Sequence, residues 1–306
     1  MRTINLGVTG IKVPTLAVGC MRINKIDKAE ASRFVKSALD MGANFFDHAD
    51  IYGDSTCESI FAEAIGMSPS VREKIFIQSK CGIRKGKAFD FSKEHILTSV
   101  DGSLKRLKTE YLDVLLLHRP DALMEPEEVA EAFNTLHWNG KVRSFGVSNQ
   151  NPMQIQLLKR WVKQPIVANQ LQLSITNCTM ISQGLHNNML DDYAVQRDGS
   201  VLDYCRINDI TIQPWSPFQF GFFKGVFLDN PEFPKLNACI NDIAKKYSVS
   251  NTTIAFAWLL RHPARMQPVT GTMKVERLKD CVKAAEITLT RDEWYAIFLA
   301  AGNILP

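Results

Sequence analysis

The chain has 306 residues, 45% of them hydrophobic and 22% charged, and its 36 basic and 32 acidic side chains leave a net charge of +4. A chain of this length suits one large α/β barrel domain over residues 1–306, and it holds no apolar stretch long enough to span a bilayer. The dispersed charges exclude the basic footprint of a nucleic-acid binder, and seven cysteines without a C-x-x-C pair exclude a zinc knuckle, so no metal site is expected.

The start, Met1 to Gly7, lacks the apolar stretch and small-residue cleavage site of a secretory signal. An odd number of cysteines also argues against a full disulfide framework, so a cytoplasmic protein is expected. Ile4 to Val13 reads as a β-hairpin around a Thr9-Gly10 turn. Strand and helix patterns then alternate. Thr15 to Gly19 is a predicted strand, and Lys28 to Met41 a predicted helix with apolar residues at Ala31, Phe34, Val35, Ala38 and Leu39 and Asp27 as its N-cap. Asn44 to Asp47 is the second strand and Ser59 to Ile65 continues the second helix. Further strands are predicted near 75–79, 112–117, 142–147, 166–170, 210–214 and 266–269, with helices near 93–107, 127–138, 152–161, 200–208, 236–260 and 275–285. Eight strands alternating with helices imply parallel βαβ units closed into a (β/α)8 TIM barrel behind an N-terminal β-hairpin. No G-x-G-x-x-G follows the first strand and no P-loop lysine motif is present. The polar stretch from Ser174 to Ser200 reads either as a loop that caps a site or as a solvated insertion.

Three predicted strands end on a polar residue: Phe46-Asp47, Ser79-Lys80 and Leu117-His118, with Tyr52 five residues past the first. Polar groups at the same end of successive barrel strands converge where catalysis is built in this architecture. A lysine beside a tyrosine stabilises phenolate and is expected to lower the phenol below its usual pKa of about 10. Asp47 would hold Lys80 charged, and a neutral His118 could hydrogen-bond a substrate oxygen.

These segments resemble the aldo/keto reductase superfamily, in its branch of bacterial NADPH-dependent oxidoreductases, nearly end to end. Leu6 to Pro14 is similar to the family's N-terminal segment, and Asp47, Tyr52, Lys80 and His118 match its catalytic residues. The resemblance implies that Ser148, Asn149 and Gln170 hold the nicotinamide carboxamide of NADPH/NADP+, and that Trp215 stacks on its ring. Ser216, Pro217, Phe218 and Gly221 would follow the pyrophosphate. Gly271, Thr272, Met273, Lys274 and Arg277 would grip the 2′-phosphate, with Asp280 near the adenine. His48 stands where many relatives carry a small residue, and Asp280-Cys281 replaces a common Glu-Asn pair.

The implied activity is hydride transfer from NADPH to an aldehyde or ketone. Two alternatives stay open: an NADPH-binding regulatory subunit of the same fold with poor turnover, and a Schiff-base aldolase using Lys80. Met21, Ile23, Tyr52, Trp215, Phe218, Phe220 and Phe222 are candidate pocket residues, an apolar set that favours small to medium hydrophobic or aromatic carbonyl compounds over sugar phosphates. The sequence names no physiological substrate, protein partner or oligomeric state.

Overall fold

The computed structural model describes residues 1–186, 189, 192, 199–221 and 223–303. The hairpin pairs β1 (Thr3–Asn5) with β2 (Lys12–Pro14), antiparallel. The barrel strands follow in chain order: β3 (Ala17–Gly19), β4 (Phe45–Asp47), β5 (Phe76–Cys81), β6 (Leu112–Leu117), β7 (Val142–Ser148), β8 (Ile166–Gln172), β9 (Thr211–Trp215) and β10 (Val269–Thr270). Each pairs in parallel with its neighbour from β3 to β9, and β10 pairs with β3. The ring closes where Ile212 of β9 bridges Met266, and the Gln267 N–H donates to the Ile212 carbonyl at 2.9 Å. The fold is therefore the expected (β/α)8 barrel.

β6 is buried on both faces, as a strand between barrel interior and helix layer must be. One apolar cluster fills the space between strands and helices, and a second lies inside the barrel around Leu6, Val13, Ala17, Phe45, Val114, Leu116, Val167 and Val269. Leu6 and Val13 belong to the hairpin, which plugs the barrel at the N-terminal ends of the strands. Gly7 lets the plug seat: its φ is +52°, and a Cβ there would lie 2.8 Å from the backbone of Val167. Its N–H donates to Thr211 Oγ1 at 2.9 Å, and its carbonyl accepts from Arg265 at 2.7 Å.

Helix starts follow side-chain chemistry. Asp27 forms a capping box with Glu30 at the head of Lys28–Asp40, and Asn151 does the same with Gln154 for Pro152–Trp161. The stretch read as one helix from 236 to 260 is two, Pro234–Tyr247 and Asn251–Arg261. Ser248 takes a left-handed backbone, φ +54°, and Ser250 caps the next helix by accepting from the Thr253 N–H. β10 is shorter than expected because Pro268 has no N–H to give to the ladder. A further helix, Arg291–Ala300, was not anticipated; its Thr290 and Glu293 form a capping box that was readable in the sequence. It is held by Trp294 stacked on Trp258 at 4.7 Å, each indole N–H donating to the other residue's carbonyl at 3.0 Å.

Within the polar stretch from Ser174 to Ser200, Thr179–Leu185 is helical. Residues 187, 188, 190, 191 and 193–198 lie outside the described residues, as does Phe222, and with them most of the expected capping loop. Among the described residues no helix is long and apolar enough to cross a membrane.

Candidate active site

Asp47, Lys80 and His118 stand at the C-terminal ends of adjacent strands β4, β5 and β6, and Tyr52 is carried in by the turn after β4. Lys80 is fully buried, and its ammonium lies 2.8 Å from both oxygens of Asp47, 2.7 Å from the His48 carbonyl and 3.2 Å from the Tyr52 hydroxyl. The Tyr52 and His118 rings meet edge to face with centroids 5.8 Å apart.

Burial alone favours the neutral amine and is the largest single influence, but the charges and hydrogen bonds of Asp47 and Tyr52 together outweigh it and hold Lys80 above its ordinary value. The phenol of Tyr52 is raised, contrary to the expectation that Lys80 lowers it. Burial pushes it up first, Lys80 pulls it down, and Asp47 pushes back; an ammonium already matched by a carboxylate has little net charge left for the phenolate. His118 is held well below its ordinary value by burial and then by Lys80 and Arg119, so its imidazole is neutral. Its Nδ1 has no partner among the described residues.

Below this group lies a buried polar column that the sequence reading missed. Gln78 donates to Asp47 Oδ1 at 2.6 Å and exchanges two hydrogen bonds with Gln213, at 2.8 and 3.0 Å. Gln213 also donates to Gln267 at 2.8 Å, which in turn donates to the Pro14 carbonyl in the hairpin at 2.8 Å. Gln170 donates to Asp47 Oδ1 at 3.1 Å and to Gln213 Oε1 at 3.2 Å, so both its amide hydrogens point into the column and no protein donor among the described residues takes its Oε1. The signal was present: a glutamine inside an apolar strand requires a buried partner, and two on facing strands supply each other.

A second cluster adjoins the first. Ser148 donates to the Gln170 carbonyl at 3.0 Å, Asn149 donates to Ser148 Oγ at 2.8 Å, and the Trp215 indole donates to Asn149 Oδ1 at 3.1 Å. Asn149 and Ser216 both hold positive φ, +57° and +53°, which aims these side chains across the rim.

All of this opens on one cleft of about 1370 Å³. Its wall includes Asp47, Tyr52, His118, Ser148, Asn149, Gln170, Trp215, Ser216, Pro217, Phe218, Gly271, Thr272, Met273, Lys274, Arg277 and Asp280. Of the catalytic and cofactor-binding residues expected from the sequence, only Lys80, beneath the floor, and Gly221 are off the wall; the Gly221 carbonyl instead accepts from Gln172 at 2.8 Å. At the far end Lys274 and Arg277 are exposed, without an acidic partner among the described residues, at the start of helix Val275–Lys283, which has no side-chain cap. Orphan N–H groups beside cations are the chemistry that suits a phosphate. The donors and acceptors along the cleft thus fit a nicotinamide dinucleotide with an added phosphate.

The expected apolar pocket needs correction. Met21, Tyr52, Trp215 and Phe218 line the cleft, but Ile23 is buried away from it, Phe220 does not reach it, and Phe222 lies outside the described residues. The wall also carries Arg22 and Arg119, so it is not purely apolar. His48 faces Phe61 with ring centroids 4.5 Å apart and is packed as a neutral core side chain, its pKa lowered to about 3 by burial and by Lys80.

The sequence model of the Aldo/keto reductase family matches residues 15–298. An uncharacterized oxidoreductase of Bacillus subtilis, YcsN, is 36% identical, over 94% of each chain. A 6-dehydroglucose reductase of Agrobacterium fabrum is 32% identical, over 88% of this chain and 87% of its own. A crystal structure of a thermostable aldo-keto reductase in complex with the inhibitor epalrestat superposes with a TM-score of 0.78 at 26% identity, covering 98% of this chain and 100% of that one.

Two predictions concern the site's stability. Gln213→Leu leaves acceptors on Gln78 and Gln267 buried without donors, at about 1–3 kcal/mol each, so the urea midpoint should drop with an unchanged slope; a wild-type midpoint would show that the column relaxes freely. Asp50, beside Glu58, is pushed up to about 7, by burial first and by Glu58 next. A carboxyl raised on folding adds stability below its unfolded pKa of about 4, and that stability is lost as pH climbs through about 7. Asp50→Asn should therefore raise the melting temperature more at about pH 8 than at about pH 5, and equal shifts at both would place Asp50 ionised throughout.

Proposed function

Because the chain belongs to the aldo/keto reductase family, we propose that it is a cytoplasmic NADPH-dependent oxidoreductase that reduces the carbonyl of a small aldehyde or ketone, with residues 1–306 working as one barrel. The observation that carries this reading is the Lys80 ammonium, shared between Asp47 and the Tyr52 hydroxyl beneath a cleft that continues to Lys274 and Arg277. Seven free cysteines accord with a reducing compartment.

A carbonyl oxygen between Tyr52 and His118 meets two groups able to donate. Tyr52, kept protonated by burial, gives its proton to the oxygen as charge develops there. Lys80 then stabilises the phenolate, and Asp47 keeps Lys80 charged and aimed. His118, neutral, orients the oxygen by a hydrogen bond. The reduced nicotinamide, when bound, supplies the hydride. Ser148, Asn149 and the free Oε1 of Gln170 would hold its carboxamide, Trp215 its ring, Ser216 to Phe218 the pyrophosphate, and Lys274 with Arg277 the 2′-phosphate.

An aldolase needs a lysine whose nitrogen lone pair is free to attack. Lys80 has its ammonium engaged by four oxygen atoms, which disfavours that alternative. A regulatory NADPH-binding subunit is distinguished by turnover with a panel of aldehydes, followed as NADPH oxidation.

In that assay Tyr52→Phe should lower kcat by roughly 10²- to 10⁴-fold while NADPH binding stays near wild type. A fully active variant would take Tyr52 out of the chemistry. For the cofactor, Arg277→Ala should weaken NADPH about tenfold and leave NADH nearly unchanged, since the guanidinium fork serves only the extra phosphate. Equal losses for both cofactors in a fluorescence titration would mean that Arg277 does not read that group.

A further inference from the structure

Arginines withdrawn from solvent in this chain are matched to oxygen. Arg72 donates to Asp113 at 2.7 Å, Arg106 to Glu58 at 2.7 Å, Arg261 to the Leu289 carbonyl at 2.6 Å, and Arg265 to Asp209 at 3.1 Å and the Gly7 carbonyl at 2.7 Å. Arg119 is also half-buried, and among the described residues it has no hydrogen-bond acceptor and no acidic partner. It follows His118 at the end of β6 and lies on the cleft wall with Tyr52 and Trp215. Its guanidinium carbon sits 5.5 Å from the Trp215 ring centroid, so the side chain has a preferred seat before any ligand arrives.

The electrostatics at this end of the cleft are lopsided. The charge of Lys80 is matched by Asp47, whereas Arg119 brings a positive charge with no matching carboxylate among the described residues. A partly desolvated guanidinium with its donor fork unused favours a planar anion, since carboxylate geometry matches two parallel N–H donors.

We propose that Arg119 is a specificity-determining residue that binds a carboxylate on the substrate, so that the preferred substrates are oxo acids: aldehydes or ketones carrying a carboxylate that reaches Arg119 while the carbonyl oxygen lies between Tyr52 and His118. This rests on the reductase reading above and narrows its substrate class. Arg119 does not touch the reacting atoms. Its contribution is made alike to bound substrate and to the state in which the proton moves, so it falls on KM more than on kcat.

The test compares 4-carboxybenzaldehyde with its methyl ester, using wild type, Arg119→Gln and Arg119→Lys with NADPH. Wild type should prefer the acid by about tenfold in kcat/KM, the scale of one charge-assisted contact at a half-exposed site. Arg119→Gln should bring the acid-to-ester ratio near one through KM, and Arg119→Lys should restore part of it, because ammonium supplies charge without the fork. The same ratio in all three proteins overturns the proposal and leaves the reductase reading standing. A second arm needs no turnover: benzoate and benzamide are titrated against tryptophan fluorescence. Tighter binding of benzoate that is lost in Arg119→Gln supports the carboxylate site even if no aldehyde is reduced, and equal binding of the two compounds overturns it.

Discussion

The buried pair between Lys80 and Asp47 is the constraint around which the upper half of the barrel is arranged. Withdrawing two charges from water costs several kcal/mol per ion, and the attraction between them offsets this only when their remaining hydrogen-bonding capacity is also met. Here it is met on every side: the His48 carbonyl and the Tyr52 hydroxyl take the ammonium, and two glutamine amides feed the carboxylate. Those amides require acceptors of their own, which is why Gln213 and Gln267 extend the column down to Pro14. One ion pair thereby dictates the side chains on four strands and ties the proposed proton donor to the hairpin plug.

The other deeply buried pair shows what the same chemistry does without a cleft. Arg72 and Asp113 lie near the start of β5 and β6, at the opposite end of the barrel, where Asp113 also accepts from the Ile77 N–H at 2.8 Å. Arg72 and Arg143 each lie 3.7 Å from the centroid of the Tyr111 ring. Arg72 also donates to Thr109 Oγ1 at 3.0 Å and to the Ile75 and Tyr111 carbonyls, so the pair serves to knit strand starts together. In this architecture the strand C-termini carry chemistry and the N-termini carry stability, and the two ion pairs divide on that line.

Much of this was legible in the sequence, for reasons that can be given residue by residue. Barrel strands read as apolar runs because both faces are buried, and the polar residues that end β4, β5 and β6 stood out because nothing in the packing calls for them. The break at Ser248 was hidden because the apolar spacing continues through it; only a left-handed residue followed by a serine cap marks it. The raised phenol of Tyr52 could not be read from a nearby lysine, since its sign depends first on burial and then on Asp47 offsetting that charge in three dimensions. Nothing in the sequence singles out Arg119, since its lack of a partner among the described residues is a property of the assembled wall.

The plug has a further consequence, for the order in which the protein can be made. Gly7 and Pro14 emerge from the ribosome long before their partners Thr211, Arg265 and Gln267, which follow more than 200 positions later. β3 likewise waits for β10. Contacts of such sequence separation slow folding, because loop-closure entropy is spent before they can form. The nascent chain therefore carries an unsealed sheet edge and a half-satisfied glutamine column until the segment around Met266 and Gln267 is released, and the interval between synthesis of β9 and that closure is when the open edge is most exposed to mispairing.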